Sequence, residues 1–327
     1  MNVGIVGAGI AGLACADQLA RAGIAATLLD KGKRPGGRLS SVAFDGLAWD
    51  IGAQYFTPRD DRFAAAAQQW QRQGLVAHWP AAGEAALIAT PAMAALVAAQ
   101  CAAHDVRFGM QVQLVERGIA GWFLSGPGFC EGPFDAVAIA VPAEQAAPLL
   151  ALHDLDLAGE AAAVRSMPCW TLMAAFDSPV ADVPDVLRDR GAIAWAARDN
   201  AKPGRGDAEC WVIQASAEWS LANLERDAGD IAPAMLALFA HEAGSGIPEA
   251  TFAKAHRWRF AFPFGQRGQP LWNARLALGA CGDWCGAGMI EGAWLSGTDL
   301  GRTIVQALGD TTGYSSPEPI TPRRATG

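Results

Sequence analysis

Three glycines at Gly7, Gly9 and Gly12 form a G-x-G-x-x-G run completed by Ala8, Ile10 and Ala11. The run follows a buried-strand pattern, Val3-Gly4-Ile5-Val6, and opens a helical one, Ile10, Leu13, Ala16, Ala20. In that context each glycine has a physical task. The first makes a tight turn, the second lets the backbone approach a diphosphate, and the third lets helix pack on strand. The helix N-terminus adds unpaired N–H groups and about half a positive charge, which favours an anion. Asp30 ends the next strand, at the distance where a carboxylate takes the hydroxyls of a ribose. These residues specify a dinucleotide and leave open whether it is NAD or FAD.

Two further blocks bear on that choice. Arg34-Pro35-Gly36-Gly37-Arg38-Leu39-Ser40-Ser41 sets bare glycines and cations where the chain wraps the far side of a dinucleotide. Near the other end, Leu278-Gly279-Ala280-Cys281-Gly282-Asp283 is an apolar strand ending in an acid. Gly288-Met289-Ile290-Glu291-Gly292-Ala293 then starts a helix. Asp283 can accept from a ribityl hydroxyl, and the N–H groups near Glu291 to Ala293 can face the N1 and O2 edge of a flavin. A helix dipole there favours the anionic reduced ring.

The first block resembles the R-x-G-G-R-x-x-S motif of the glutathione-reductase-like flavoproteins that include amine oxidases. Asp50-Ile51-Gly52-Ala53-Gln54-Tyr55-Phe56 resembles the segment that runs beside the isoalloxazine ring in that superfamily. Three middle segments carry the likeness further, to the bacterial branch of the renalase family: Ser166 to Leu172, Ala196 to Arg205 and His256 to Pro263. The likeness covers most of the chain. It implies noncovalent FAD and a glutathione-reductase-type α/β Rossmann domain joined to an antiparallel-sheet substrate domain. It also implies oxidation of 2- or 6-dihydro isomers of NAD(P) to NAD(P)+, with dioxygen reoxidising the flavin to hydrogen peroxide. The cofactor contacts it implies are Gly7, Gly9, Ile10, Ala11, Gly12, Asp30, Lys31, Gly37, Arg38, Ala53, Gln54, Tyr55, Val112, Gly282, Asp283, Ile290, Glu291 and Ala293. Asp30 departs from the pattern, since such proteins more often carry the longer Glu.

For hydride transfer the cofactor does the difficult chemistry, so the protein must chiefly place a substrate carbon and exclude water. No nucleophile or metal is required. Tyr55 is the first candidate on the substrate side, because its block borders the ring. His256 can donate to a substrate or simply pack beside Trp258, which joins it as a candidate. Asn200 and Arg198 lie in a polar segment able to frame a ribose or a phosphate, a surface turn being the other reading. The chain has 2 tyrosines, and Tyr314 falls in the tail, so a paired-tyrosine cage for an amine cannot form without Trp or Phe. Cys281 and Cys285 are not in C-x-x-C spacing, and no second glycine fingerprint serves a pyridine nucleotide. The rival enzymes are an amine oxidase or a desaturase, and the rival of another class is a noncatalytic flavin-binding module.

The elements that position these residues follow from the rest of the 327-residue chain. That length suggests about two domains. The FAD-binding domain is expected to be discontinuous, over 1–60, 91–155 and 270–309. The substrate domain takes 61–90 and 156–269, and 310–327 reads as a flexible tail rich in Pro, Ser and Thr. Residues 61 to 104 read as largely helical, with breaks near Trp79-Pro80 and Thr90-Pro91. Strands are expected at Val106–Phe108, Val112–Val115, Trp122–Leu124 and Ala136–Val141, the last one buried and parallel. Longer Trp- and Phe-rich strands between 160 and 265 suit an antiparallel layer, with a helix at Pro233–Glu242. A closing helix is expected to run through Ile304.

The hydrophobic fraction is 51%, yet Gly, Pro and charge interrupt it everywhere, and no run nears the ~18 to 20 apolar residues of a membrane span. A net charge of −8 offers nucleic acid no general attraction. The 7 cysteines lie scattered among apolar neighbours, as reduced core cysteines do. With Met1 leading straight into a strand, a cytoplasmic protein is the expectation, acting on a small molecule and dioxygen without membrane or nucleic-acid partners. The sequence does not specify an oligomeric state.

Overall fold

A computed structural model describes residues 1–244, 247–265 and 268–312, with side chains through Gly309 in the last segment. Most of the expected tail, including Tyr314, lies outside the described residues. The chain begins β1 (Asn2–Val6), α1 (Ile10–Arg21), β2 (Ala25–Asp30), as the glycine motif requires. There follow β3 (Ser41–Phe44), β4 (Leu47–Asp50), α2 (Asp61–Arg72), β5 (Val76–His78), β6 (Leu87–Ala89) and α3 (Met93–Cys101). Next come β7 (Asp105–Phe108), the meander β8 (Leu114–Gly118), β9 (Gly121–Gly126) and β10 (Phe129–Phe134), then β11 (Ala136–Ile139), α4 (Ala143–Ala151) and α5 (Leu155–Ala163). The second layer is β12 (Arg165–Phe176), β13 (Val186–Arg190), β14 (Ile193–Arg198), β15 (Glu209–Ala215), α6 (Ala217–Ala222), α7 (Ala228–Glu242) and β16 (Ala250–Phe264). The chain returns through β17 (Leu271–Asn273), β18 (Leu278–Ala280) and α8 (Met289–Thr312).

The first sheet has the order β17-β18-β11-β1-β2-β7. All its neighbours pair in parallel except the β17 edge, so the all-apolar run at β11 is buried on both faces as expected. β18 lies beside β11 although 139 separates from 278 in sequence, so the C-terminal return completes the sheet begun at Asn2. α1 and α8 cover one face and cross at very short range. A Cβ at Gly297 would lie 2.0 Å from the Ala11 carbonyl oxygen, and one at Gly301 2.8 Å from that of Cys15. The meander covers the other face, where Trp122, Leu124 and Phe134 join Val6, Leu29 and Ile139 in one core.

The second sheet, β13-β14-β15-β12-β16, is antiparallel throughout. Four details differ from the sequence reading. Residues 76–89 form a β5–β6 pair within the stretch expected to be largely helical. The strand expected at Val112 starts at Leu114, because the Gly109 and Met110 N–H groups donate to the Gly32 and Asp30 carbonyls and pin that segment to the end of β2. Phe63, Trp70 and Leu87, in the segment allotted to the substrate domain, share a core with Val3, Leu13 and Leu28. Finally, α8 outruns Ile304 and continues to Thr312.

Candidate functional site

The glycine loop shows the division of labour that the motif implies. Gly7 has φ +102°, and a Cβ there would lie 2.5 Å from the Ala140 oxygen. At Gly12 it would lie 2.1 Å from the Gly7 oxygen, whereas at Gly9 it would meet nothing within 4 Å. Gly9 caps α1 without any side-chain hydrogen bond, and the first turn, which includes Ile10 and Ala11, holds no acidic residue. The leading N–H groups of a 12-residue helix are therefore left to an outside acceptor. Gly37 closes in from the other side, its Cβ position 3.6 Å from the Gly9 Cα.

Asp30 has two backbone partners. Its Oδ2 accepts from the Ala8 N–H and its Oδ1 from the Gly32 N–H, both at 2.7 Å. The carboxylate thus ties the glycine loop to β2, with a second lone pair on each oxygen left over. The short side chain fits this double backbone contact, which accounts for Asp in a position where Glu was expected. Lys31 sits beside it on the surface and donates to Gln145 at 3.2 Å, and Val112 is half-buried in the segment pinned to β2.

The two ends of the chain meet at Arg38. Its guanidinium donates to Asp283 Oδ1 at 2.7 Å, and its carbonyl accepts from the Ala53 N–H at 2.9 Å. Asp283 is 5% exposed, and Gly282 beside it donates to the Ser296 hydroxyl of α8. Ile290 and Ala293 are buried in the first turns of α8. Glu291 Oε2 accepts from the Arg59 N–H at 2.6 Å, tying the helix start to the loop after Tyr55. Gly37, which closes on Gly9, thus leads directly into the Arg38–Asp283 pair, and Gly282 ties that pair to α8.

Behind the 50–55 loop lies a group that sequence reasoning missed. Lys202 Nζ donates to Asp50 at 3.1 Å, to Gln54 Oε1 at 3.0 Å and to Asp199, while Arg205 reaches Asp50 and the Pro91 carbonyl. These four ionic side chains are 0 to 4% exposed. Burial pushes the Asp50 carboxyl up, but Lys202, Arg205, the Ser41 hydroxyl and the Met93 N–H together outweigh it and hold it below its ordinary value. For Asp199 burial prevails, helped by the charge on Asp50, and its carboxyl is raised. The signal was present as charges within Asp199-Asn200-Ala201-Lys202-Pro203-Gly204-Arg205, but nothing local identifies Asp50 as their partner.

The second sheet holds the loop and the strand before it through side-chain donors and backbone carbonyls. Trp258 donates its indole N–H to the Ile51 carbonyl at 2.8 Å, Gln214 donates to Gly52 and Trp49 donates to Ala174. Trp258 is thus a brace for the loop. His256 is half-buried with its ring centroid 4.6 Å from that of Trp258, and burial together with Lys254 lowers its pKa. Tyr55 stacks on Trp195 at 5.2 Å, and its hydroxyl accepts from Arg188 at 2.9 Å. Asn200 and Arg198 do not gather with these residues. Asn200 bonds Glu209 and the Cys210 N–H, and Arg198 pairs with Glu209 and Asp185. Their polar atoms tie the end of β14 to its neighbours.

Burial pushes the Cys15 thiol up to about 12 and the Cys281 thiol well above its ordinary value. Cys130 is exposed on β10, and the other six cysteines are buried. Among the described residues no cluster of His, Cys, Asp and Glu could hold a metal ion, and no helix is long and apolar enough to cross a membrane.

Comparison with known proteins agrees with this architecture. Residues 5–70 match the model of the NAD(P)-binding Rossmann-like domain. Hydroxyneurosporene desaturase of Rubrivivax gelatinosus is 49% identical over 68 residues, which span 20% of this chain and 13% of the desaturase. A solved structure assigned as a protoporphyrinogen oxidase from Exiguobacterium sp. 255-15 superposes with a TM-score of 0.74 at 13% identity, covering 93% of this chain and 98% of its own. Cyclohexylamine oxidase from Brevibacterium oxydans gives 0.70 at 12% identity, covering 94% and 99%. At such identities the likeness establishes the fold: a Rossmann-like α/β domain with added antiparallel sheets, as the sequence led one to expect.

Proposed function

We propose that this chain is a renalase-like, FAD-dependent oxidase that takes a hydride from 2- or 6-dihydro isomers of NAD(P) and releases NAD(P)+. The observation that carries the reading is the joining of Arg38 to Asp283 at 2.7 Å, with the uncapped start of α1 and the open face of Gly9 nearby in the same fold. A nicotinamide dinucleotide gripped by the first domain alone would not need the C-terminal return. A longer cofactor gripped at both ends would.

The residues fit FAD. The Gly7–Gly12 loop and Gly37 would hold the diphosphate, Asp30 the adenosine ribose, and Arg38 and Asp283 the ribityl chain. The unpaired N–H groups of the first turn of α8, up to Glu291, would hold the pyrimidine edge of the ring. Bound FAD supplies the hydride-accepting ring and its reoxidation by dioxygen to hydrogen peroxide. The protein's part is orientation. Gln214 and Trp258 fix the 50–55 loop from the second sheet, Trp49 of β4 donates to Ala174 of that sheet, and Arg188, seated over the Tyr55–Trp195 pair, offers N–H donors beside the loop. His256, held towards its neutral form, can donate a hydrogen bond without adding charge.

Anaerobic stopped-flow reduction of the FAD-loaded protein by each purified dihydronicotinamide isomer tests the reading. Rapid bleaching by a 2- or 6-dihydro isomer, with none by a panel of amines, is the expected result. Bleaching by amines alone would make the chain an amine oxidase, and bleaching by neither would leave a desaturase or a noncatalytic flavin-binding module.

A further inference from the structure

Two neighbouring aromatic residues lie where a cation–π cage for an ammonium substrate could form. Tyr55 and Trp195 stack with centroids 5.2 Å apart, and Trp79 meets Trp195 edge-on at 6.1 Å. The protein's own cations already occupy their faces. The Arg188 guanidinium carbon lies 4.5 Å from the Trp195 centroid and 5.2 Å from that of Tyr55. The ammonium of Lys202 lies 5.3 Å from the Trp79 centroid. Arg188 is held in this position by hydrogen bonds to the Tyr55 hydroxyl and the Ala82 carbonyl. Among the described residues no carboxylate pairs with it, although the side chain is exposed.

Such a guanidinium is locked in place, uncompensated and open to solvent. It repels an incoming ammonium, fills the π-face that an ammonium needs, and leaves N–H donors for an anion. We infer that Arg188 is a specificity-determining residue: it closes the Tyr55–Trp195 pair to cationic amines and makes the site select an anionic substrate with a planar base. This rests on the function proposed above and adds the residue that discriminates among substrates. Arg188 belongs to β13, the edge strand of the substrate sheet, so the discriminating charge is supplied by that sheet to the 50–55 loop.

Calorimetric titration of the purified holoprotein with NADH as the anionic planar probe, and with benzylamine as the cationic one, tests this. Wild type is expected to bind NADH, with affinity falling as salt rises, and to ignore benzylamine. Arg188→Met should weaken NADH by about tenfold or more and admit benzylamine, while Arg188→Lys should keep benzylamine out. Circular dichroism of each variant separates these shifts from loss of the fold. The inference is overturned if wild type fails to bind NADH, if Arg188→Met binds NADH as tightly as wild type, or if wild type takes benzylamine as well as that variant does. Should NADH affinity depend on Arg188 while no dihydronicotinamide isomer bleaches the flavin, the proposed reaction fails and this inference stands.

Discussion

A methyl group added at Gly9 would touch no protein atom within 4 Å, while one added at Gly12 would sit 2.1 Å from the Gly7 oxygen. The two glycines therefore fail in different ways. Gly9→Ala, at an ordinary φ of −75°, should change the urea stability of the apoprotein by no more than about 1 kcal/mol. It should nonetheless weaken FAD by about tenfold or more, because the methyl occupies the diphosphate's place. Gly12→Ala should cost roughly 1 to 3 kcal/mol in the apoprotein itself. Equal destabilisation by both substitutions would show that the space over Gly9 is no cradle. His256 gives a second test at this scale. Burial and Lys254 depress its folded pKa, so the unfolded chain takes up the proton first as pH falls below its ordinary value of about 6.5. Stability is then lost from that pH down to the folded pKa, and retained above it. Unfolding midpoints at about pH 7.5 and about pH 5.5 should differ less in His256→Gln than in wild type, and an unchanged difference would remove His256 as a source of acid sensitivity.

At the scale of elements, what could be read from sequence is what neighbouring residues decide among themselves. The strand–glycine–helix start, the buried run of β11 and the Trp- and Phe-rich strands of the second sheet each follow from periodicity within a dozen residues. The β5–β6 pair was missed because each strand has 3 residues, too few for a period to show. The reach of α8 to Thr312 was missed for another reason, since Gly309 reads as a helix stop and the helix runs on through it. The glycines of α8 were also silent. Gly297 and Gly301 look like helix-weakening residues until α1 is placed against them, when the short approach to the Ala11 and Cys15 carbonyls explains both. At the candidate site, the residues proposed to hold the cofactor came from local motifs, whereas Arg188 and Trp195 were invisible because the sheet alone brings them to Tyr55.

The whole molecule depends on a charge balance that no local pattern announces, since Asp50 and Lys202 are 152 residues apart. Two carboxylates and two cations, all buried, join the 50–54 loop to the second sheet and sum to zero when all are ionised. Removing Lys202 as Lys202→Met leaves a net negative charge in the dry interior, which should cost about 3 to 5 kcal/mol. That is a large part of the roughly 5 to 15 kcal/mol that stabilises a folded domain. FAD retention should fall with it, because Gln54 loses the ammonium that holds its side-chain carbonyl and so keeps its amide N–H group donating to the Gly52 carbonyl. Charge balance can be restored without restoring the lysine. Asp199 is the carboxylate to neutralise, since burial already raises its pKa and its Oδ2 accepts no hydrogen bond. The double variant Lys202→Met with Asp199→Asn leaves Asp50 against Arg205 and should recover part of both the urea stability and the bound flavin. If the double variant is no more stable than Lys202→Met alone, the cluster acts through packing, and the two halves of the molecule are joined by the Trp49, Gln214 and Trp258 contacts instead.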